Sequence, residues 1–135
     1  MRVVIDTNVL VSGAINPHGS PGRIMDALLA EEISLLYDDR ILGEYREVLL
    51  RPAFGFRHAD VDTLLDFIEF AGERISATAT VGVILPDPDD LPCLEVAVAG
   101  AADALITGNM RHFKPRHGRH DVFICSPADF VQRFR

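Results

Sequence analysis

Apolar runs of this chain repeatedly stop at carboxylates or amides. Val3-Val4-Ile5 ends at Asp6, with Thr7-Asn8 next; Leu85 is followed by Pro86-Asp87-Pro88-Asp89-Asp90; Leu105-Ile106 gives way to Thr107-Gly108-Asn109. The β-branched first run reads as a buried strand, and a carboxylate at its exit lies where open α/β sheets place their chemistry. Carboxylates gathered at one sheet edge repel one another unless a cation or a proton relieves them. Mg²⁺ and Mn²⁺ suit such a place, because they prefer oxygen ligands, keep several waters and need only one or two direct carboxylates. The chemistry that follows is phosphodiester hydrolysis, in which the metal activates water and offsets charge developing on the phosphate. Asp6 and Asp90 are the expected direct ligands, and Glu44 would bind a second ion or hold a water on the first.

These residues need elements that bring them together. The coarse pattern predicts strand 2–6, a helix within 20–31, strand 33–37, helix 39–51, helix 60–73, an apolar segment 75–85, helix 89–100, strand 103–107, a basic loop, strand 121–125 and helix 127–134. Such alternation implies an α/β domain with a mainly parallel sheet and helices on both faces. Every strand of a parallel sheet ends along the same edge, so Asp6, the Asp87–Asp90 group and Asn109 converge there. Asp103 begins its strand instead, which puts it ~15 Å away at ~3.3 Å per residue and out of the site. On helix 39–51, Ile41, Leu42, Tyr45, Val48 and Leu49 form the apolar stripe; Glu44 flanks it and reaches inward, whereas Glu47 faces water and can pair with Arg51 at i+4. The stretch from Asn8 to Gly22, with Gly13, Pro17, Gly19 and Pro21, reads as a mobile loop.

Composition limits the classes. A chain of 135 residues with 48% hydrophobic content is expected to be one domain, 1–135, with a sizeable core. No apolar stretch approaches the ~20 residues that span a bilayer, and no signal-peptide pattern opens the chain, so a cytoplasmic protein without a membrane partner is expected. Cys93 and Cys125 stand far apart, in no metal-ligand spacing, and read as reduced, buried and chemically silent. The formal net charge of −7 argues against a nonspecific nucleic-acid coat. Yet the segment from Arg111 to His120 concentrates Arg111, Lys114, Arg116 and Arg119 without an acid. It could be a solvated loop; following the Thr107-Gly108-Asn109 turn, it would instead hold phosphates beside the acidic edge.

Each acid also has a plain structural use. Asp6 could cap a following helix, Asp87 or Asp89 could cap the helix near 89, Glu44 could merely cover apolar surface, and Asn109 could be a turn former. That all of them reach one edge by accident is the weaker explanation.

Four blocks in order resemble the PIN domain (PilT N-terminus) nucleases: Val3-Val4-Ile5-Asp6-Thr7-Asn8-Val9-Leu10, Glu44-Tyr45-Arg46-Glu47-Val48-Leu49, Asp87-Pro88-Asp89-Asp90-Leu91-Pro92-Cys93-Leu94-Glu95 and Ala102-Asp103-Ala104-Leu105-Ile106-Thr107-Gly108-Asn109. Asp6-Thr7-Asn8 alone is a weak signal; the ordered set is strong and covers nearly the whole chain. The chain looks like the branch of toxin components of toxin–antitoxin pairs, VapC-like in kind. The resemblance implies an α/β/α sandwich, Mg²⁺- or Mn²⁺-dependent cleavage of single-stranded RNA, homodimers and a small antitoxin protein as partner. It places the family's acidic site on Asp6, Glu44 and Asp90. A fourth position, often Asp, is Asn109 here, and an acid often found three residues later is His112; both departures bear on a second metal ion. Two other readings compete. One is a catalytically weakened PIN-like module that binds RNA or protein; the other is a phosphatase or phosphoacceptor using Asp6. The phosphatases considered usually carry a second Asp two residues on, where Asn8 stands. A phosphoacceptor wants a lysine at a late strand end, and the only lysine is Lys114.

Overall fold

The structure, a computed structural model, describes residues 1–79 and 82–134. Strands β1 (Arg2–Ile5), β2 (Ser34–Tyr37), β3 (Glu73–Arg74), β4 (Ala104–Ile106) and β5 (Ile124–Cys125) form a five-stranded sheet in the order β3-β2-β1-β4-β5. All pairings are parallel. Helices α1 (Thr7–Ile15), α2 (Ser20–Leu29), α3 (Asp39–Leu49), α4 (His58–Ala71), α5 (Leu91–Ala99) and α6 (Pro127–Arg133) complete an α/β/α sandwich. Val3, Val4, Ile5, Leu35, Leu36, Leu105 and Ile106 are fully buried, as strands covered on both faces require. Among the described residues no helix is long and apolar enough to cross a membrane.

The strand order decides where chemistry can occur. From β1 the chain steps outward through β2 to β3 on one side, and β4 and β5 lie on the other. The direction of winding therefore reverses between β1 and β4, and a crevice opens at the carboxyl ends of strands at such a switch point. The register pairs Ile5 with Ile106, which sets Asp6 beside Thr107. At the opposite end of β4, Asp103 accepts the Arg2 backbone N–H at 2.8 Å, so it lies at the amino edge, as its place in the sequence predicted.

The segment 8–22 is not the loop the sequence suggested. Thr7–Ile15 is helical, with Val9, Leu10 and Val11 buried, and only a short connection precedes α2. Gly13 is there for contact: a Cβ at that position would lie 2.5 Å from the Pro21 carbonyl oxygen, so α1 and α2 meet backbone to backbone. β3 was also missed. It holds two exposed charged residues, and it joins the sheet through backbone pairing to Leu36 and Tyr37 and through the Arg2–Glu73 ion pair. The apolar stretch 75–85 forms no strand among its described residues apart from a bridge between Ile84 and His117; residues 80 and 81 lie outside the described set.

Candidate functional site

Asp6 occupies the N-cap position of α1, yet its side chain makes no capping hydrogen bond. Its backbone does the local work: the N–H donates to the Ile106 carbonyl at 2.9 Å, and its carbonyl accepts from Val9 and Leu10. The carboxylate is thereby freed to turn across the switch point, where its Oδ2 accepts the Thr107 hydroxyl at 2.8 Å. Only 8% of Asp6 is exposed, and burial pushes its carboxyl above the usual value, opposed by Thr107, the Thr7 N–H and His112. Thr107, wholly buried, also accepts the Asn109 N–H at 3.0 Å, so one hydroxyl fixes both Asp6 and the turn after β4.

Asp90 joins the site from the head of α5. Asp87 accepts the Asp89 N–H at 3.0 Å and so caps the 3₁₀ turn Pro88–Asp90, as one member of the group was expected to. Asp90 stands at the head of α5 without a capping bond. Its Oδ2 is buried, accepts no well-aligned hydrogen bond, and lies 3.1 Å from His112 Nδ1. Burial first, then the charges of Asp6 and Asp87, raise the Asp90 carboxyl to about 6 against the opposing pull of His112.

Glu44 reaches the same edge from α3. Much of its side chain faces solvent, yet burial, followed by the charges of Asp6, Asp89 and Glu47, raises its carboxyl. The Thr7 hydroxyl is close enough to oppose that rise, but its buried Oγ1 completes no hydrogen bond. Two contacts set the placement of α3. The buried Tyr45 hydroxyl donates to the Ile5 carbonyl, one residue before Asp6. Arg40 bridges Asp38 at 2.8 Å and the buried Glu95 at 2.6 Å, tying the start of α3 to α5. Glu47 pairs with Arg51 at 3.1 Å, on the outer side of the helix.

The structure therefore puts Asp6 within electrostatic reach of both Glu44 and Asp90. Asn109 is exposed on the turn that Thr107 fixes; its carbonyl accepts the His112 N–H at 3.0 Å, and its side chain makes no hydrogen bond among the described residues. Sequence reasoning gave His112 and Asp87 no ligand role, yet ligand atoms of Asp87, Asp90 and His112 all lie within 4.8 Å of one another. The spacing from Asn109 to His112, one turn of the 3₁₀ helix Met110–Phe113, was the available signal.

This donor set fits a divalent cation. Two buried oxygens, Thr7 Oγ1 and Asp90 Oδ2, have no hydrogen bond, and three carboxyls are raised by burial, Glu44 and Asp90 further by the charge of Asp6. A cation at this edge would relieve both conditions. The cysteines take no part: both are free and buried, and burial raises Cys125 to about 11 and Cys93 well above the ordinary thiol value.

A family model described as PIN domain matches residues 2–111. An uncharacterized protein of Methanocaldococcus jannaschii is 31% identical in an alignment spanning 99% of this chain and 92% of its own length. In three dimensions the chain is similar to VapBC2 from Rickettsia felis, solved bound to a DNA fragment from its promoter. The TM-score is 0.58 at 17% identity, over 93% of this chain and 98% of that one. At that identity the likeness is one of fold.

Proposed function

Because this chain belongs to the PIN domain family, we propose that it is a metal-dependent endoribonuclease that hydrolyses phosphodiester bonds of single-stranded RNA. The observation that carries the reading is the unsatisfied Asp90 Oδ2 beside His112, close enough to Asp6 to feel its charge. Asp6 and Asp90 would hold the first ion, with Glu44 near it and Asp87 and His112 available beside Asp90. Mg²⁺ or Mn²⁺ held there would supply a Lewis acid that offsets charge developing on the phosphate. Thr107 keeps the Asp6 carboxylate turned into the crevice. Arg40 and Tyr45 keep α3, and with it Glu44, at a fixed distance from α5 and β1. An imidazole donor is a poorer partner for Mg²⁺ than for a transition ion, so His112 favours Mn²⁺.

The same reading includes a toxin role in the cytoplasm, a homodimer and neutralisation by a cognate antitoxin. The fold likeness to VapBC2 supports the antitoxin partner; the homodimer and the cytoplasm follow from the family resemblance alone. A panel of labelled substrates tests the reading, with single-stranded RNA, duplex RNA and single-stranded DNA each incubated with the whole protein and Mn²⁺ or Mg²⁺. Cleavage confined to single-stranded RNA, and suppressed by the product of an adjacent gene, is the expected outcome. Indifference to strand type would refute the substrate assignment, and a folded protein that cuts nothing would leave the catalytically weakened binding module as the better reading.

A further inference from the structure

A groove of about 390 Å³ opens beside the acidic edge, between the turn Met110–Phe113 and the loop that follows it. Met110, Pro115 and Ile124 give it an apolar wall, and the exposed Lys114 and Arg119 stand at its rim. One short turn joins it to the candidate metal centre. His112 faces Asp90 at 3.1 Å, while Met110 and Phe113 of the same turn line the groove.

The groove is held in shape from behind. The Arg116 N–H donates to the Ile84 carbonyl at 2.7 Å, and the Ile84 N–H donates to the His117 carbonyl at 2.8 Å. Gly118 adopts φ +85, and a Cβ there would lie 2.1 Å from the Gly82 carbonyl oxygen, so only glycine allows this approach. On the inner side, His120 Nε2 donates to the Phe113 carbonyl at 2.8 Å and its Nδ1 accepts the Val122 N–H at 3.3 Å, as the ring does with its proton on Nε2. The basic loop is thus clamped to the segment that leads into Asp87 and Asp90.

We propose that this groove takes one nucleotide of the single-stranded RNA next to the scissile phosphodiester. The base lies against Met110, Pro115 and Ile124, and the flanking phosphates lie against Lys114 and Arg119. Charge selects this occupant: the loop carries cations and no acid in a chain of net charge −7, so a polyanion is drawn to this edge. The apolar wall selects a base that is free of its stack, as only a single strand presents it. The inference rests on the nuclease reading, and the test separates the two.

End-labelled single-stranded RNA is titrated with the whole protein in EDTA and followed by fluorescence anisotropy, beside a series in which one position at a time is abasic. One abasic position should weaken binding about tenfold, the scale of burying part of one base face against apolar side chains. In Met110→Ser that penalty should vanish. Lys114→Ala with Arg119→Ala should flatten the slope of log affinity against log salt by about 1.4, since each lost single-strand phosphate contact removes ~0.7. Both sites are exposed, so circular dichroism should be unchanged. A flat abasic series or an unaltered salt slope, in a protein that binds and cuts intact RNA, overturns the groove assignment alone and leaves the surface to a protein partner. Failure to bind or cut any RNA overturns the nuclease reading and this inference together.

Discussion

At the scale of single residues, the site is a set of carboxylates held against their own repulsion. Asp6 and Asp90 are raised chiefly by burial and Asp90 further by Asp6, and Thr107 and His112 only partly compensate. Asp6→Asn should therefore abolish cleavage while leaving the metal-free melting temperature unchanged or higher, which a thermal melt beside the activity assay would check. Thr107→Val should cost about 2 kcal/mol in urea unfolding, the scale of a buried hydrogen bond to a charged acceptor, and should slow cleavage, whereas Thr107→Ser should restore both. The Asp90 value sets a pH dependence. Its folded value of about 6 lies above the ordinary carboxyl value of ~3.9. The stability it contributes to the metal-free fold is fully present below that ordinary value and is lost as pH rises through about 6. Melting temperatures without metal should fall across this window, and Asp90→Asn should flatten the fall. Mn²⁺ should reverse it, because binding requires the deprotonated carboxylates. A metal-free protein that instead gains stability from pH 4 to 7 through this residue would contradict the placement of Asp90.

At the scale of elements, what was legible in the sequence followed from one-sided apolar periods. α3 is the clearest case: of its stripe, Ile41, Tyr45, Val48 and Leu49 are buried and Leu42 half-buried, and Glu47 turns to Arg51 as expected, whereas Glu44, expected to reach inward, is exposed and meets Asp6 through its charge. The parallel sheet then puts Asp6 at one edge and Asp103 at the other by strand direction alone. α1 was illegible for a physical reason. Its short run Val9-Leu10-Val11 is buried around most of its circumference, so only the narrow exposed face of Asn8 and Ser12 marks the helical period, and Gly13 looks like a hinge although it serves a backbone contact. β3 has no apolar signature, since it is an edge strand of Glu73 and Arg74. Thr107 and His112 were hidden differently: their roles depend on β1–β4 register and on a 3₁₀ turn, which connect residues distant in sequence. The packing claim for α1 is testable. Gly13→Ala, against the backbone of α2, should destabilise by about 1–3 kcal/mol in urea unfolding. A neutral result would show that the α1–α2 contact is looser than the Gly13–Pro21 approach implies.

At the scale of the whole molecule, an acidic chain carries one acid-free basic loop fastened to its acidic crevice. On the proposed function the two charges would divide the task of handling a polyanion: the loop would attract the phosphate backbone, and the acidic edge, once it holds a cation, would receive the phosphodiester. Replacing Arg111, Lys114 and Arg116 together by Ala should weaken RNA binding and reduce its salt slope by about 2, at ~0.7 per lost contact. Unchanged binding would make those three residues a solvated surface. The most direct test of the site compares cleavage of one labelled single-stranded RNA with Mn²⁺ by the unaltered protein, by Asp6→Asn and by Asp103→Asn, with EDTA as control. Cutting by the unaltered protein and by Asp103→Asn, with none by Asp6→Asn or in EDTA, is the predicted result. Loss of cutting in a well-folded Asp103→Asn, or cutting that persists in EDTA, would contradict a metal-dependent site at the carboxyl edge of the sheet.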